Sequence, residues 1–170
     1  MNFLELTKER YSVRKFSDRE VEQEKIDKIL EAAKNAPTAT NAQPQRIYII
    51  QNESMEKLKE CTTCTFGANM AILVCYNKDE SWKRDKFDGE DSGILDAAIV
   101  GTHIMLEIVE QGLGSTWVGY FDPEKIVELF DIPENIIPKA LFPLGYPAED
   151  SEPSERHFKR KNIEEIVKYI

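Results

Sequence analysis

A long helix followed at once by a strand is predicted for residues 94–122, which read ILDAAIVGTHIMLEIVEQGLGSTWVGYFD. Residues 94–111 carry apolar side chains at helical spacing and form the strongest helix pattern of the chain. Gly101 leaves room within it for the close approach of a neighbour, either a sheet or a partner helix. Gly112 and Gly114 suit the end of the helix, and residues 115–121 then predict a strand.

Shorter elements alternate on both sides of this unit. Helices are predicted near residues 3–6, at 21–34, at 54–60 with Ser54 as candidate N-cap, from Asp122 to before Pro133, and at 163–169. Strands are predicted at 46–51, 71–76 and 139–145, the last irregular or at a sheet edge because it contains a proline. The pattern indicates a mixed α and β protein and leaves parallel and antiparallel sheets both open.

Composition and charge narrow the class of protein. The chain has 170 residues, 41% of them hydrophobic, which suits one domain spanning residues 1–170 with a sizeable core. Its net charge of −9, from 31 acidic and 22 basic residues, repels the phosphate backbone of nucleic acids. The longest apolar stretch is broken by Gly101, His103 and Glu107, and the charged N-terminus is unlike a signal peptide. We expect a cytoplasmic protein that binds neither nucleic acid nor membrane.

The cysteines and acidic residues do not predict a metal site. Three cysteines, Cys61, Cys64 and Cys75, are an odd number, which argues against a disulfide framework. Cys61 and Cys64 form a CxxC pair that supplies only half of a typical zinc site and follows a predicted helix instead of opening one. The acidic loop at 77–93 lacks EF-hand spacing. Whether the CxxC pair has a redox role stays open.

Four segments carry residues suited to a ligand. In RYSVRKF at 10–16, an extended chain places Arg10, Ser12 and Arg14 on one side, as an oxyanion site needs. The loop APTATNAQP at 36–44 offers small polar groups between two prolines, and GLGSTWVGYFD at 112–122 lets backbone approach a flat ligand. The segment RHFKRK at 156–161 is the densest basic patch. Each segment also has an interpretation without a ligand. In chain order these are a solvated surface strand, a connection from helix to strand, a core strand after a helix end, and a solvated tail.

Taken together and in this order, the four segments resemble the nitroreductase family of FMN enzymes. The family's opening motif corresponds to RYSVRKF, its proline-flanked loop to PTATNAQP, and its helix end to GLGSTWVGYFD. A GYP at 145–147 and a late Arg-Lys complete the resemblance, which spans essentially the whole chain. Departures include Tyr11 at the place of a second arginine and Gln45 at the place of an aromatic residue.

The resemblance implies an FMN site built from several segments. Arg10 and Ser12 would hold the phosphate, with Tyr11 between them, and Arg14 would lie near N1 and O2 of the flavin. Arg160 would complete the phosphate clamp, with Lys159 or Lys161 sharing the role. The other implied cofactor-binding residues are Pro37, Thr38, Ala39 and Asn41, which would line the partner subunit's site, and Trp117, Val118, Gly119 and Tyr120, which would lie near N5.

The resemblance also implies a fold and an activity. The fold is an α+β three-layer sandwich with a mostly antiparallel central sheet flanked by helices, in a homodimer with FMN sites at the interface. The reaction is a ping-pong exchange in which NAD(P)H reduces tightly bound FMN and a nitroaromatic or quinone-like acceptor reoxidises it, with no side-chain acid or base named. An FMN-binding protein with little turnover and a flavin-free interaction protein remain alternatives. NADH and NADPH are not distinguished, because no GxGxxG fingerprint is present.

Overall fold

The computed structural model describes residues 2–170 and contains a four-stranded antiparallel sheet. Its strands lie in the order β1-β2-β4-β3, and every pair of neighbours is antiparallel. The strands are β1 (Gln45–Gln51), β2 (Met70–Asn77), β3 (Gly114–Ser115) and β4 (Ile136–Gly145). The choice between parallel and antiparallel pairing, which the sequence pattern left open, is thereby settled.

Six α-helices accompany the sheet within the described residues. They are α1 (Phe3–Glu9), α2 (Gln23–Lys34), α3 (Glu53–Leu58), α4 (Gly93–Glu110), α5 (Pro123–Leu129) and α6 (Ile163–Ile166). Asp122 caps α5 as expected, because its carboxylate accepts the N–H groups of Glu124 and Lys125 at 3.1 Å. Ser54 is not the cap of α3, since that position belongs to Asn52, and α6 ends earlier than the predicted residue 169.

The helices form two layers around the sheet because its side chains alternate between two faces. On β2, Ile72, Val74 and Tyr76 pack with α2 and α4, whereas Ala71, Leu73 and Cys75 pack with α3 and α5. Two separate apolar clusters result, one on each face of the sheet. The predicted α+β three-layer sandwich is confirmed.

The predicted strand at 115–121 is wrong beyond its first residue. Strand β3 ends at Ser115, and further along only Val118 rejoins the sheet, exchanging both backbone hydrogen bonds with Leu141 at 2.8 and 3.0 Å. The chain then turns away, because the Tyr120 carbonyl accepts the Thr62 hydroxyl and the Asp122 N–H donates to the Cys61 carbonyl. These bonds to the turn after α3 replace a regular ladder.

Strand β4 is irregular, as predicted, but it is not at an edge. A bulge lies opposite Val74 and Cys75, where Lys139 has no partner in the register. The Leu141 N–H points toward the side of β4 on which β3 lies. Because backbone N–H groups along a strand alternate in direction, the nitrogen of residue 143 points to the same side. The short β3 pairs only with Leu144 and Gly145, so Pro143 faces a gap in the ladder where its missing N–H costs little.

Candidate functional site

The segment 10–16 meets the condition on which its predicted alternation depended, because it is extended where it pairs with β3. Ser12 forms a parallel bridge with Ser115, and the Val13 N–H donates to the Ser115 carbonyl at 3.0 Å. Val13 is buried, so its neighbours Ser12 and Arg14 face the opposite way. Gly114 makes this contact feasible, because a Cβ there would lie 2.4 Å from the Val13 Cγ2 atom.

The chain after β4 returns to this segment and encloses a cavity with it. Lys15 forms a 2.6 Å salt bridge with Asp150, and the Ala148 N–H donates to the Lys15 carbonyl at 3.1 Å. The Tyr11 hydroxyl donates to the Ser151 carbonyl at 3.3 Å. The cavity has a volume of about 220 Å³ and is lined by Arg10, Ser12, Arg14, Ser154, Arg156, His157 and Arg160.

This cavity is strongly cationic in an otherwise acidic protein. Its lining includes four arginines and no acidic residue, although the chain carries a net charge of −9. Within residues 2–170, no salt bridge joins these four guanidinium groups to a carboxylate. Burial, and next the charge of Arg160, lower the pKa of Arg10. A cluster of like charges held in this way is stabilised by an anion.

The donor set of the cavity matches a phosphate monoester. Guanidinium groups donate in a planar fork that suits phosphate oxygens, and the two serine hydroxyls add further donors. The volume is smaller than the roughly 300–1,000 Å³ of most cofactor pockets, so it suits the charged end of a ligand whose remainder lies outside. The phosphate of a flavin mononucleotide fits this chemistry.

The structure brings together most, but not all, of the cofactor-binding residues predicted in the first and last of the four segments, including Arg14, which was predicted near N1 and O2 of the flavin. Arg10, Ser12, Arg14 and Arg160 all line the cavity. Tyr11 and Lys161 do not, and Tyr11 instead ties down the returning chain through Ser151 and an edge-on contact with His157. The sequence reading passed over Ser154, Arg156 and His157 as site residues. The dense basic patch at 156–161 was the signal that pointed to two of them.

The segment after β3 provides both anchoring and open positions. Trp117 stacks edge-on against Phe142 with 5.0 Å between ring centroids, and Gly101 makes room, since a Cβ there would lie 3.0 Å from both rings. Of the two close neighbours that the sequence allowed for Gly101, a sheet or a partner helix, the structure therefore shows the sheet of the same chain. Val118 is buried with both backbone groups bonded to Leu141, whereas Gly119 and Tyr120 are exposed.

The proline-flanked loop lies elsewhere, beside the start of α4. The Ala39 N–H donates to the Asp96 carboxylate at 2.8 Å, and the Thr38 hydroxyl accepts the Gln43 N–H at 3.0 Å. Pro37, Thr40 and Asn41 are exposed, while Thr38 and Ala39 are half-buried. None of these five residues lines the arginine cavity of the same chain.

The nitroreductase family model matches residues 7–66 and 61–146, which together span most of the sequence. This chain belongs to the nitroreductase family. The matched range includes the segment 10–16, the proline-flanked loop and the segment after β3. The matched range ends before the basic patch. The place of Arg156 and Arg160 at the cavity is therefore known from the structure and not from the family match.

Three relatives illustrate the likeness. A candidate NADH dehydrogenase/NAD(P)H nitroreductase from Methanothermobacter thermautotrophicus is 39% identical over 158 residues, covering 88% of this chain and 80% of that protein. A nitroreductase family protein from Clostridium difficile 630 is 45% identical, with a TM-score of 0.92 over 99% of this chain and 98% of the other. An FMN-dependent nitroreductase from Clostridium difficile R20291 is 28% identical, with a TM-score of 0.75 over 90% and 92%.

The described residues of this family member form neither a metal site nor a membrane-spanning helix. Across residues 2–170, no group of three or more His, Cys, Asp or Glu side chains is placed to hold a metal ion. The CxxC pair consists of a buried Cys61 and a half-buried Cys64, and burial raises the pKa of the Cys61 thiol. In the same part of the chain, no helix is long and apolar enough to cross a bilayer.

Proposed function

We propose that this protein is an FMN-dependent oxidoreductase that passes electrons from NAD(P)H to a small organic acceptor such as a nitroaromatic or a quinone. The single observation that carries the proposal is the acid-free cavity of four arginines, built on the first segment of the family pattern. The names of two relatives, an NAD(P)H nitroreductase and an FMN-dependent nitroreductase, support the donor and the cofactor.

The cavity residues hold the phosphate end of the cofactor. Arg10, Ser12 and Arg160 form the clamp, and Arg156 and His157 add charge and donors at its rim. Lys161 does not line the cavity and serves at most as an outer charge on this tail. Arg14 is exposed at the same cavity, where its cation balances negative charge near N1 and O2 of the reduced ring system.

The residues that would hold the ring system of the cofactor come from two subunits in this proposal. Phe3 and Leu4 on α1 and Ile94, Leu95 and Ile99 on α4 are exposed apolar side chains, an arrangement that marks an interface when it is contiguous. Five apolar residues near the chain end are exposed as well: Ile163, Ile166, Val167, Tyr169 and Ile170. In a homodimer that covers these surfaces, Pro37, Thr38, Ala39 and Asn41 line the partner's site.

The protein supplies position and electrostatics, and the cofactor supplies the redox step. When bound, FMN would supply the redox chemistry of a ping-pong reaction, with NAD(P)H as the electron donor and the small organic compound as the acceptor. Exposed backbone at Gly119 and Tyr120 approaches the reactive edge, with Trp117 fixed against Phe142 as their support. Because Val118 is bonded to Leu141, its contribution is limited to holding this backbone in place.

An anaerobic titration tests the proposal. NADH or NADPH added to the FMN-loaded protein should bleach the visible flavin band, and menadione or nitrofurazone added afterwards should restore it. Bleaching without restoration by any quinone or nitro compound would reduce the function to flavin binding. A protein that never takes up FMN would overturn the proposal.

A further inference from the structure

A buried carboxylate outside the arginine cavity has a defined structural task. Asp96, in the first turn of α4, is only 2% exposed. One of its oxygens accepts the Ala39 N–H at 2.8 Å, and the other accepts the Ser92 hydroxyl at 3.0 Å. The N-terminal turn of a helix favours a negative charge, which compensates for burial. Asp96 thus links α4 to the loop at residues 37–43 by a charge-assisted hydrogen bond.

The loop that Asp96 holds has an unfavourable backbone. Thr40, Asn41 and Gln43 have φ angles of 52°, 57° and 52°, in the left-handed region that residues with a Cβ rarely occupy. Such conformations persist only where the surrounding structure over-determines them, and they concentrate at functional sites. Within the loop, the Gln43 N–H donates to the Thr38 hydroxyl. From α4, the carboxylate of Asp96 anchors the loop by accepting the Ala39 N–H.

The loop also lies beside the exposed apolar stripe of α4. Leu95 precedes Asp96 and is 62% exposed, while Ile94 and Ile99 belong to the same surface. Asp96 therefore points inward from the turn of α4 whose outer side carries the proposed dimer contact. A displacement of the loop would therefore change the shape of the partner-facing surface, where the ring system is proposed to bind.

We propose that Asp96 is a positioning residue for the flavin site, an inference that rests on the proposed function. Its carboxylate fixes Ala39 and so holds Thr40 and Asn41 in the conformation that contacts the partner's FMN ring. Asp96 itself does not touch the cofactor. Its loss changes the environment of the ring while the arginine clamp, which belongs to other segments, still retains the phosphate.

The test compares four variants at saturating FMN. Asp96→Ala removes both hydrogen bonds, and Ser92→Ala leaves the bond to Ala39 but frees the second oxygen. Asp96→Asn is the rescue, because its amide oxygen can accept from Ala39 while its NH₂ donates to the Ser92 hydroxyl. Ile104→Val, at a fully buried position further along α4, is the control for lost stability. Its melting temperature is compared with that of Asp96→Ala.

The expected readouts are specific to the cofactor ring. Asp96→Ala should shift the flavin absorption maximum and reduction potential and lower kcat/KM for NAD(P)H by about 10- to 100-fold. Asp96→Asn should restore most of the wild-type absorption maximum, reduction potential and kcat/KM. Ser92→Ala should give values between those of Asp96→Ala and the wild type, and Ile104→Val should match the wild type. If Asp96→Ala matches Ile104→Val in spectrum, potential and kcat/KM, the inference is overturned and the proposed function stands. A wild type that retains no FMN would overturn both.

Discussion

At the scale of single residues, the site is governed by like charges held close together. Arg10 is half-buried, and its pKa is lowered by burial and by the neighbouring charge of Arg160. A ligand that binds the folded chain and not the unfolded one stabilises the fold by mass action. If the phosphate of FMN binds in this cavity, as proposed, it would also relieve the repulsion between the arginines.

Replacing either clamp arginine should weaken FMN binding. A hydrogen bond to a charged group contributes about 1.5–3 kcal/mol, so Arg10→Ala and Arg160→Ala should each raise the Kd about 10- to 150-fold. Titration of flavin fluorescence measures this directly. Arg84→Ala, which breaks exposed pairs with Asp88 and Glu90, is the control and should bind FMN as the wild type does. Equal affinity for all three variants and the wild type would remove the assigned role of the clamp.

Glu22 should make stability depend on pH in the acid range. Its pKa is lowered from 4.5 to about 2, first by the hydrogen bond from Tyr146, then by its own backbone N–H and by Arg19. Because the folded pKa is the lower one, the stabilisation is complete above 4.5 and is lost as the pH falls toward 2. Glu22→Gln should therefore lower the urea midpoint at pH 6, and its difference from the wild type should shrink below pH 4.5.

Tyr146→Phe is the matched partner of this test, because it removes the same 2.6 Å hydrogen bond from the other side. It should reproduce part of the loss at pH 6, because Arg19 and the backbone N–H still stabilise the carboxylate, and it should add little to Glu22→Gln in the double variant. A difference between wild type and Glu22→Gln that stays constant from pH 6 to pH 2.5 would contradict the assignment.

The sequence predicted the site residues that follow from local periodicity. Alternation along 10–16 placed Arg10, Ser12 and Arg14 on one side, and the cavity contains all three. It could not select Arg156 over Lys161, because the choice depends on how the returning chain is anchored by Asp150 and Ser151. Such long-range bonds leave no periodic signal in the sequence. For the same reason, Tyr11 was predicted to bind the cofactor, whereas its hydroxyl bonds to Ser151 of the returning chain.

At the scale of elements, the segment 10–16 and β3 determine where the cavity lies. The long helix α4 and the strands β1 and β2 were predictable because their apolar patterns are strong. The strand after α4 was overestimated, since its apolar residues Val118 and Phe121 pack in the core without forming a continuous ladder. The proline rule correctly predicted irregularity in β4, whereas its central place depends on the gap beside the short β3.

Gly114→Ala should test the contact between these two elements. An added Cβ would lie 2.4 Å from Val13 Cγ2, and overpacking of this kind costs about 1–3 kcal/mol. We expect a lower melting temperature and weaker FMN binding, because Ser12 and Arg14 flank Val13. Gly119→Ala is the control for melting temperature alone, since no atom lies within 4 Å of its added Cβ and Gly119 itself belongs to the proposed flavin site. If the two variants melt together, the close packing of segment 10–16 on β3 is not what supports the cavity.

At the scale of the whole molecule, the arginine cavity and the proline-flanked loop lie apart in one chain. The arginine cavity is formed by the segment 10–16 and the returning chain, and the strained loop lies at the start of α4. The cavity volume of about 220 Å³ holds only part of a cofactor. The exposed apolar residues of α1 and α4 are the surface on which, as proposed, a second copy would complete the site.

Leu95→Glu should separate the subunits and, with them, the cofactor. Leu95 is 62% exposed on α4, and a charge buried there without a partner opposes association. Light scattering should report a dimer for the wild type and a monomer for the variant, and the monomer should retain far less FMN. Asn69→Glu adds the same charge at an exposed position before β2 and should remain a dimer. A dimeric Leu95→Glu protein with full FMN would place the interface elsewhere.

The most direct test of the account is an absorbance spectrum of the purified protein after incubation with FMN and removal of the excess by gel filtration. We expect retained flavin at about one per subunit in the wild type, and little in the double variant Arg10→Ala, Arg160→Ala. The absence of retained flavin in the wild type at micromolar concentration would contradict the central claim, because the arginine cavity would then serve some other anion.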